Sequence, residues 1–212
     1  MEFYKDWNFW LSIVTAFVAV CALFQTTKQT RLSNKQHLFD RRIKAFTIVD
    51  GIYKLCRENY QYLSHPQQDT NYANDLNFIW LTNNSFMEEQ ANAIKHPLEN
   101  PYKRDFLIKR EELRNLATEM QLIFKGKPAA KYSVFIAKYE NVLFKMYQYQ
   151  IVLKHIEEEN AKHPMEHEKL QAMFSEPTHR KELNDALEQL KEAYDAIDDS
   201  TQAMIRRQIK LI

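Results

Sequence analysis

The sequence predicts an all-α chain in which an N-terminal transmembrane helix continues into a cytoplasmic antiparallel bundle of about four to five helices. Only 2 glycines and 6 prolines occur in 212 residues, which leaves little material for the tight turns of a sheet. Good helix formers such as Leu, Lys, Glu, Gln and Ala are abundant. Residues 7–27 form an uncharged, apolar stretch. Together these observations predict a helical chain with a single membrane span.

The chain is long enough for one domain of ordinary size and an anchor. We expect an N-terminal tail and transmembrane helix in residues 1–27 and a cytoplasmic helical domain in residues 28–212. Cys21 lies inside the apolar stretch and Cys56 is alone in the rest. Two such cysteines support neither a disulfide framework nor a cysteine zinc site, which fits a reducing compartment.

The apolar stretch matches the hydrocarbon thickness of a bilayer, since about 20 helical residues span roughly 30 Å. Trp7 and Trp10 stand at one end, where indole rings favour the membrane interface. A buried core helix is the first alternative, although such helices are rarely so long without a charge. A cleaved signal peptide is disfavoured because no small-x-small site follows Phe24. A lipoprotein site at Cys21 is disfavoured because Val20 precedes it.

The charges beside the stretch predict its orientation. The N-terminal side contains Glu2, Lys5 and Asp6, whereas the segment that follows is rich in basic residues with only Asp40 against them. The basic residues are Lys28, Arg31, Lys35, Arg41, Arg42 and Lys44. The positive-inside bias places the N-terminus outside and the C-terminal domain in the cytoplasm. The same residues are candidates for contact with anionic lipid headgroups, and a pure topology signal is the alternative.

A long helix is predicted over about residues 28–64 because apolar residues recur every three or four positions. They are Phe39, Ile43, Phe46, Val49, Tyr53, Cys56, Tyr60 and Leu63. No helix stop separates this helix from the apolar stretch, so we expect one continuous rod. The rod should end near Pro66, because the residue before a proline avoids helical geometry.

Two more helices are predicted over about residues 72–95 and 101–125. His96 and Pro97 close the first of them. The second begins with Asn100 as cap and Pro101 as first helical residue, and Gly126 is its expected C-terminal cap.

The C-terminal half should contain helices over about residues 128–160, 165–174 and 178–212. The first of these is apolar on two faces, which predicts a central position in the bundle. The last contains apolar residues every seven positions, a spacing that permits a coiled coil: Leu183, Leu190, Ile197, Met204 and Leu211. The alternative is a single core-facing stripe, favoured because the partner positions are Ala186, Ala193, Ser200 and Arg207.

No pattern of catalytic residues is present, and so few glycines exclude the usual nucleotide loops. The nearest approach to a metal site is a fragment of a di-iron pattern, broken by Pro164. Its residues are His155, Glu158, Glu159, His163, Glu166 and His167. We interpret them as a solvated helix end, and predict no metal, no cofactor and no enzyme activity. The basic residues Lys103, Arg104, Lys109, Arg110 and Arg114 alternate with acidic ones, which argues against nucleic-acid binding.

The segment Lys35-Gln36-His37-Leu38-Phe39-Asp40-Arg41-Arg42, followed by Phe46, resembles a short motif of small bacterial and prophage single-pass membrane proteins. These proteins have an N-terminal span and then a helix with Leu-Phe-Asp-Lys/Arg-Arg and an aromatic residue four positions on. The resemblance implies a bacterial or phage source and an inner-membrane location, and it implies no activity. Some members lie among phage-defence or superinfection-related genes, so that setting is expected here.

The expected function is that of a membrane-anchored, non-enzymatic helical module with a binding, sensing or scaffold role. Its expected partners are the lipid bilayer and either another protein or a second copy, joined through the long first helix or the C-terminal heptads. The alternative is a membrane-perturbing, toxin-like effector that its own helical domain holds inactive.

Overall fold

The computed structural model describes residues 7–64, 79–164 and 166–209, and in these ranges the chain forms helices and turns without strands. The elements are α1 (Trp7–Glu58), α2 (Tyr60–Ser64), α3 (Ile79–Thr82), α4 (Gln90–Lys95), α5 (Tyr102–Ile123), α6 (Lys127–Lys162), α7 (His167–Met173), α8 (Glu176–Asp195) and α9 (Asp199–Ile209). The predicted all-α class is confirmed.

Helix α1 is a single helix of 52 residues, in agreement with the predicted continuous rod. Only its second half packs in the core, through Ala45, Val49, Ile52 and Cys56 among others. The helix ends at Glu58, before its predicted end, which lies outside the described residues. Asn59 follows as a turn residue, and both its side-chain amide and its backbone N–H donate to the Leu55 carbonyl, at 2.9 and 3.2 Å.

The helix predicted over about residues 72–95 is wrong in its described part, where α3 and α4 are separated by turns. Residues 72–78 lie outside the described ranges. The Oδ1 atom of Asn84 accepts hydrogen bonds from the backbone N–H groups of Phe86 and Met87 at 3.1 and 3.0 Å. Such a turn satisfies the backbone locally and ends helical geometry.

Helices α5 and α6 run antiparallel, since Arg110 contacts Glu140 and Gln121 contacts Ser133. Gly126 adopts a φ of +80° between them. Gly126 was predicted as the cap of α5, but α5 ends at Ile123 and Gly126 directly precedes α6. Both predicted apolar faces of α6 are buried, with Tyr132, Tyr139 and Tyr149 among its largest fully buried side chains.

The helix predicted over about residues 178–212 is two helices, α8 and α9, so the continuous coiled coil is wrong over the described residues. Leu183, Leu190 and Ile197 are buried, but Met204 is 43% exposed and Ile205 takes the buried place. Leu211 lies outside the described residues. The break occurs because Asp198 caps α9, its Oδ1 accepting the Thr201 N–H at 2.8 Å.

Helix α8 also begins earlier than predicted, at Glu176, with Pro177 in its first turn. It runs antiparallel to α6, as contacts of Lys145 with Glu182 and of Lys138 with Gln189 show. The short helix predicted over about residues 165–174 corresponds to α7, and Met165 itself is not described. The packing of α6 against α5 and α8 is the most extensive in the described fold.

Two tyrosines of α6 hydrogen-bond to the segment from α3 to the start of α5. The Tyr139 hydroxyl donates to the Leu81 carbonyl, and the Tyr147 hydroxyl donates to the Pro97 carbonyl at 2.5 Å. Burial raises the pKa of both phenols, which therefore remain hydrogen-bond donors. The segment is thereby attached to the core although it contains little helix.

Candidate membrane anchor and its junction with the bundle

The first half of α1 makes no packing contact with the bundle. Every residue from 7 to 38 is exposed, including the large apolar side chains of residues 7–27, here called the apolar segment. Helix α1 is long and apolar enough to cross a membrane, and none of its most apolar window is buried. Water-soluble proteins rarely expose so large a continuous apolar surface.

The few hydroxyl groups of the apolar segment bind to its own backbone. Ser12 donates to the Asn8 carbonyl at 2.9 Å and Thr15 donates to the Leu11 carbonyl at 2.8 Å. Thr26 and Thr27 make the same contact one turn back. In hydrocarbon no water replaces a missing partner, so hydroxyls satisfied within the helix suit a lipid environment.

The two tryptophans predicted at the interface, Trp7 and Trp10, are both exposed at the start of α1. The Trp10 ring meets the Phe9 ring edge to face, with 6.1 Å between centroids. They form an aromatic group at the end of the segment that lies far from the bundle. Trp and Tyr are enriched at membrane–water interfaces, and the predicted interface position of the two tryptophans stays a prediction.

Residues 28–38 of α1 are here called the stalk, because they join the apolar segment to the bundle and are exposed on all sides. At about 1.5 Å per residue the stalk is roughly 16 Å long. Burial begins at Phe39 and Arg42, which are half-buried, and is complete at Ala45. No joint separates the apolar segment from the core.

The six basic residues predicted to set the topology or to contact lipid headgroups divide into two groups. Lys28, Arg31 and Lys35 lie on the stalk, and Lys44 is exposed beside the bundle. Arg41 and Arg42 instead contact the bundle, which their sequence positions did not predict. The Arg41 guanidinium pairs with Glu119 of α5 at 2.8 Å.

Arg42 joins the C-terminal ends of two helices. Its Nε donates to the Ile123 carbonyl of α5 at 2.7 Å, and its Nη1 donates to the Gln208 carbonyl of α9 at 2.8 Å. The guanidinium also lies 5.8 Å from the centre of the Phe124 ring. Helix C-termini carry partial negative charge and unpaired carbonyls. Arg42 therefore closes the end of the bundle nearest the stalk.

Two buried carboxylates, Glu140 and Glu176, were not singled out from the sequence. Arg110 Nε lies 2.5 Å from Glu140 Oε1, and the guanidinium is 3.5 Å from the centre of the Phe144 ring. Glu176 is fully buried and accepts a hydrogen bond of 2.5 Å from the Tyr149 hydroxyl. In sequence both carboxylates look like ordinary surface charges. Each has a packing partner from another helix, which fixes the register between helices.

The residues considered as metal ligands do not converge in the described part of the chain, where no group of three or more His, Cys, Asp or Glu side chains is placed to hold a metal ion. The His155 ring lies 6.1 Å from the Phe174 ring, and Glu166 pairs with Lys169 at 3.1 Å. The side chain of His167 is not described.

An open cleft of about 450 Å³ lies at the start of α5, far from Arg42. Its lining combines apolar, amide and charged residues and contains one carboxylate, no histidine and no cysteine. The lining residues are Leu98, Asn100, Lys103, Arg104, Leu107, Ile108 and Glu111.

No protein-family model, curated protein or solved structure matches this chain.

Proposed function

We propose that the chain is a membrane-anchored, non-enzymatic helical module. In this proposal α1 crosses the inner membrane of a bacterium, the N-terminus lies outside, and the bundle lies in the cytoplasm as a binding, sensing or scaffold domain. One observation carries it: the exposed apolar segment and the buried part of α1 belong to the same unbroken helix. A bilayer is the environment that such a segment requires.

The orientation is supported by the exposed charges at the two ends of the apolar segment. Lys28, Arg31 and Lys35 are all solvent-exposed on the stalk, whereas the preceding tail contains Glu2, Lys5 and Asp6. Positive residues within about 15–20 positions of a span favour the cytoplasmic side. The three stalk residues give this bias even without Arg41 and Arg42.

The continuity of α1 supports a role in which the bundle is held in a fixed relation to the membrane. A flexible linker would let a domain rotate freely, but a helix that enters the core transmits rotation and tilt of the span. A partner bound to the bundle would then change the orientation of α1 in the membrane. A change in the tilt of α1 would likewise change how the bundle meets its partner. This coupling suits a sensor or scaffold and requires no catalytic group.

Membrane insertion is tested by extraction of native membranes with alkaline carbonate. The unaltered chain should remain in the pellet. Val14→Arg combined with Val18→Arg should release it, since each arginine at the centre of a span costs about 2.5–3.5 kcal/mol. Ser33→Arg, on the exposed stalk, is the matched control and should stay in the pellet. Release of the unaltered chain would contradict the proposal.

Orientation is tested by labelling intact cells with a membrane-impermeant maleimide, in a Cys21→Ala background. Glu2→Cys should be labelled from outside, and Asn34→Cys only after the membrane is permeabilised. Cys56 is buried, and burial raises its thiol pKa, so it should not react in the folded chain. Labelling of Asn34→Cys in intact cells would show that the orientation is the opposite of the one proposed.

A further inference from the structure

We propose that two copies of the chain pair in parallel through one face of the stalk. This face, here called the stalk face, consists of α1 residues spaced alternately by four and three positions: Gln25, Gln29, Leu32, Gln36, Phe39 and Ile43. Leu32 is 56% exposed and Ile43 is 40% exposed, while Phe39 is half-buried. The spacing is that of the contact positions of a two-stranded coiled coil.

The stalk face contains no charged residue although the stalk is rich in basic ones. The same heptad positions continue into the apolar segment as Leu11, Thr15, Val18 and Ala22, with the Thr15 hydroxyl bonded to the helix's own backbone. A glutamine side chain both donates and accepts hydrogen bonds, so it can pair with the same glutamine of a second copy. The face is therefore complementary to itself.

Five of the six residues of the stalk face are exposed, and Phe39 is partly covered by the chain's own bundle. Successive residues of an α-helix are about 100° apart, which places Leu32 and Ile43 roughly 120° from the direction of Val49 and Cys56. Val49 and Cys56 are fully buried in the core. A second α1 can therefore lie along the face as far as Ile43 without displacing a helix of the bundle. The next positions of the same spacing, Phe46, Asp50 and Tyr53, already pack against the bundle, so the pairing ends there.

Charge positions select a parallel second copy. In a parallel pair the residue before one contact position faces the residue five places farther along the other chain. Lys35 of one copy then faces Asp40 of the second copy, and both side chains are exposed. Within one chain these two residues are not neighbours on the helix, because only residues three or four apart share a face.

The composition of the stalk gives a reason for pairing. Thr30, Ser33, Asn34 and His37 are weak helix formers, and an isolated helix of this length is marginal in water. A packed neighbour would keep the stalk helical. The inference rests on the proposed function, because two spans of the same orientation in one bilayer hold their stalks parallel and raise their effective concentration.

The test is oxidative cross-linking of single cysteines in native membranes, in a Cys21→Ala background. Gln29→Cys and Gln36→Cys lie on the stalk face, whereas Thr30→Cys and Asn34→Cys are exposed controls on the opposite side. Several-fold more disulfide-linked dimer is expected at 29 and 36 than at 30 and 34. Equal cross-linking on both sides, stronger cross-linking at the controls, or none at any position would overturn the proposal.

A charge exchange tests the parallel register. Added to Gln36→Cys, either Lys35→Asp or Asp40→Lys should lower the dimer yield a few-fold, because each places like charges opposite one another. The two changes together should restore the yield. Failure of the double variant to recover would overturn the assigned register and, with it, the parallel pairing proposed here.

The proposed function and the pairing fail in different measurements. A chain that resists carbonate extraction but does not cross-link through the stalk face retains its anchor and loses only the pairing. A chain that carbonate releases loses the anchor first. The parallel pairing then loses its basis as well.

Discussion

Arg42 Nε donates a hydrogen bond of 2.7 Å to the Ile123 carbonyl, across 81 positions of sequence. A second bond from the same guanidinium reaches Gln208. One side chain of α1 thus caps the C-terminal ends of two other helices, at the end of the bundle beside the stalk. The relation between the anchor helix and the bundle is fixed by this residue as well as by apolar packing.

Arg42→Ala should destabilise the full chain in detergent by about 2–3 kcal/mol, because it removes charged hydrogen bonds to two helix ends. For a chain of this size each kcal/mol lowers the melting temperature by about 2–4 °C. Arg42→Lys should lie between, since one ammonium reaches the two carbonyls less well. Arg41→Ala is the control: its exposed pair with Glu119 should contribute at most about 1 kcal/mol. Equal losses at 41 and 42 would contradict the assignment.

The two glycines should respond in opposite directions to alanine. An added Cβ at Gly51 meets no atom within 4 Å, so Gly51→Ala should stabilise α1 by about 0.5–1 kcal/mol. Gly126 has a φ of +80°, where a side chain is strained, so Gly126→Ala should destabilise by about 1 kcal/mol or more. Thermal unfolding of both variants measures the difference. A loss at Gly51 would mean that another helix occupies that space.

Asp198 should make stability depend on acid pH. Hydrogen bonds from the Thr201 hydroxyl and backbone N–H, then from Ser200, lower its pKa from 3.8 to about 2. A pKa lowered on folding stabilises the fold above pH 3.8, and this stabilisation is lost as pH falls towards 2. Asp198→Asn should lower the melting temperature at pH 7 and flatten its decline between about pH 4 and 2. Asp199→Asn is the control, and an unchanged acid decline in Asp198→Asn would refute the cap.

Tyr149→Phe should destabilise the chain by about 1–2 kcal/mol, since the fully buried Glu176 carboxylate loses its 2.5 Å donor and keeps Arg180 at 3.3 Å. Glu176→Gln should destabilise the chain less than Glu176→Ala, because the amide oxygen can still accept a hydrogen bond from the Tyr149 hydroxyl. Lys181→Ala removes only an exposed pair with Asp185 and should leave the melting temperature unchanged. A Tyr149→Phe variant as stable as the parent would show that the buried bond contributes nothing.

The sequence predicted single helices from their apolar pattern. It did not predict where local polar side chains interrupt a helix. Helix α6 could be placed because its apolar residues follow the helical period on two faces. The turn at Asn84 and the cap at Asp198 were missed, although both are residues that compete with the helix backbone. Neither residue carries a strong signal alone, since the same side chains also occur on exposed helix surfaces.

For the six basic residues after the apolar segment, too, the sequence predicted one property and the tertiary structure decided another. Their number and position after the apolar segment predicted an orientation, and that remains a prediction. Their individual contacts depend on helices that meet α1 from distant positions. Glu119 reaches Arg41 and the ends of α5 and α9 reach Arg42, so two of the six are structural residues of the bundle.

The sequence by itself determined the helical class and the long uncharged segment, because composition and hydrophobic period act locally along the chain. Only the tertiary structure decided where α1 becomes buried, which arginine closes the bundle and which carboxylates are inside it. These outcomes depend on contacts between residues many positions apart, as with Arg42 and Gln208. The free energy of such a contact exists only when both helices are packed, and no local pattern encodes it.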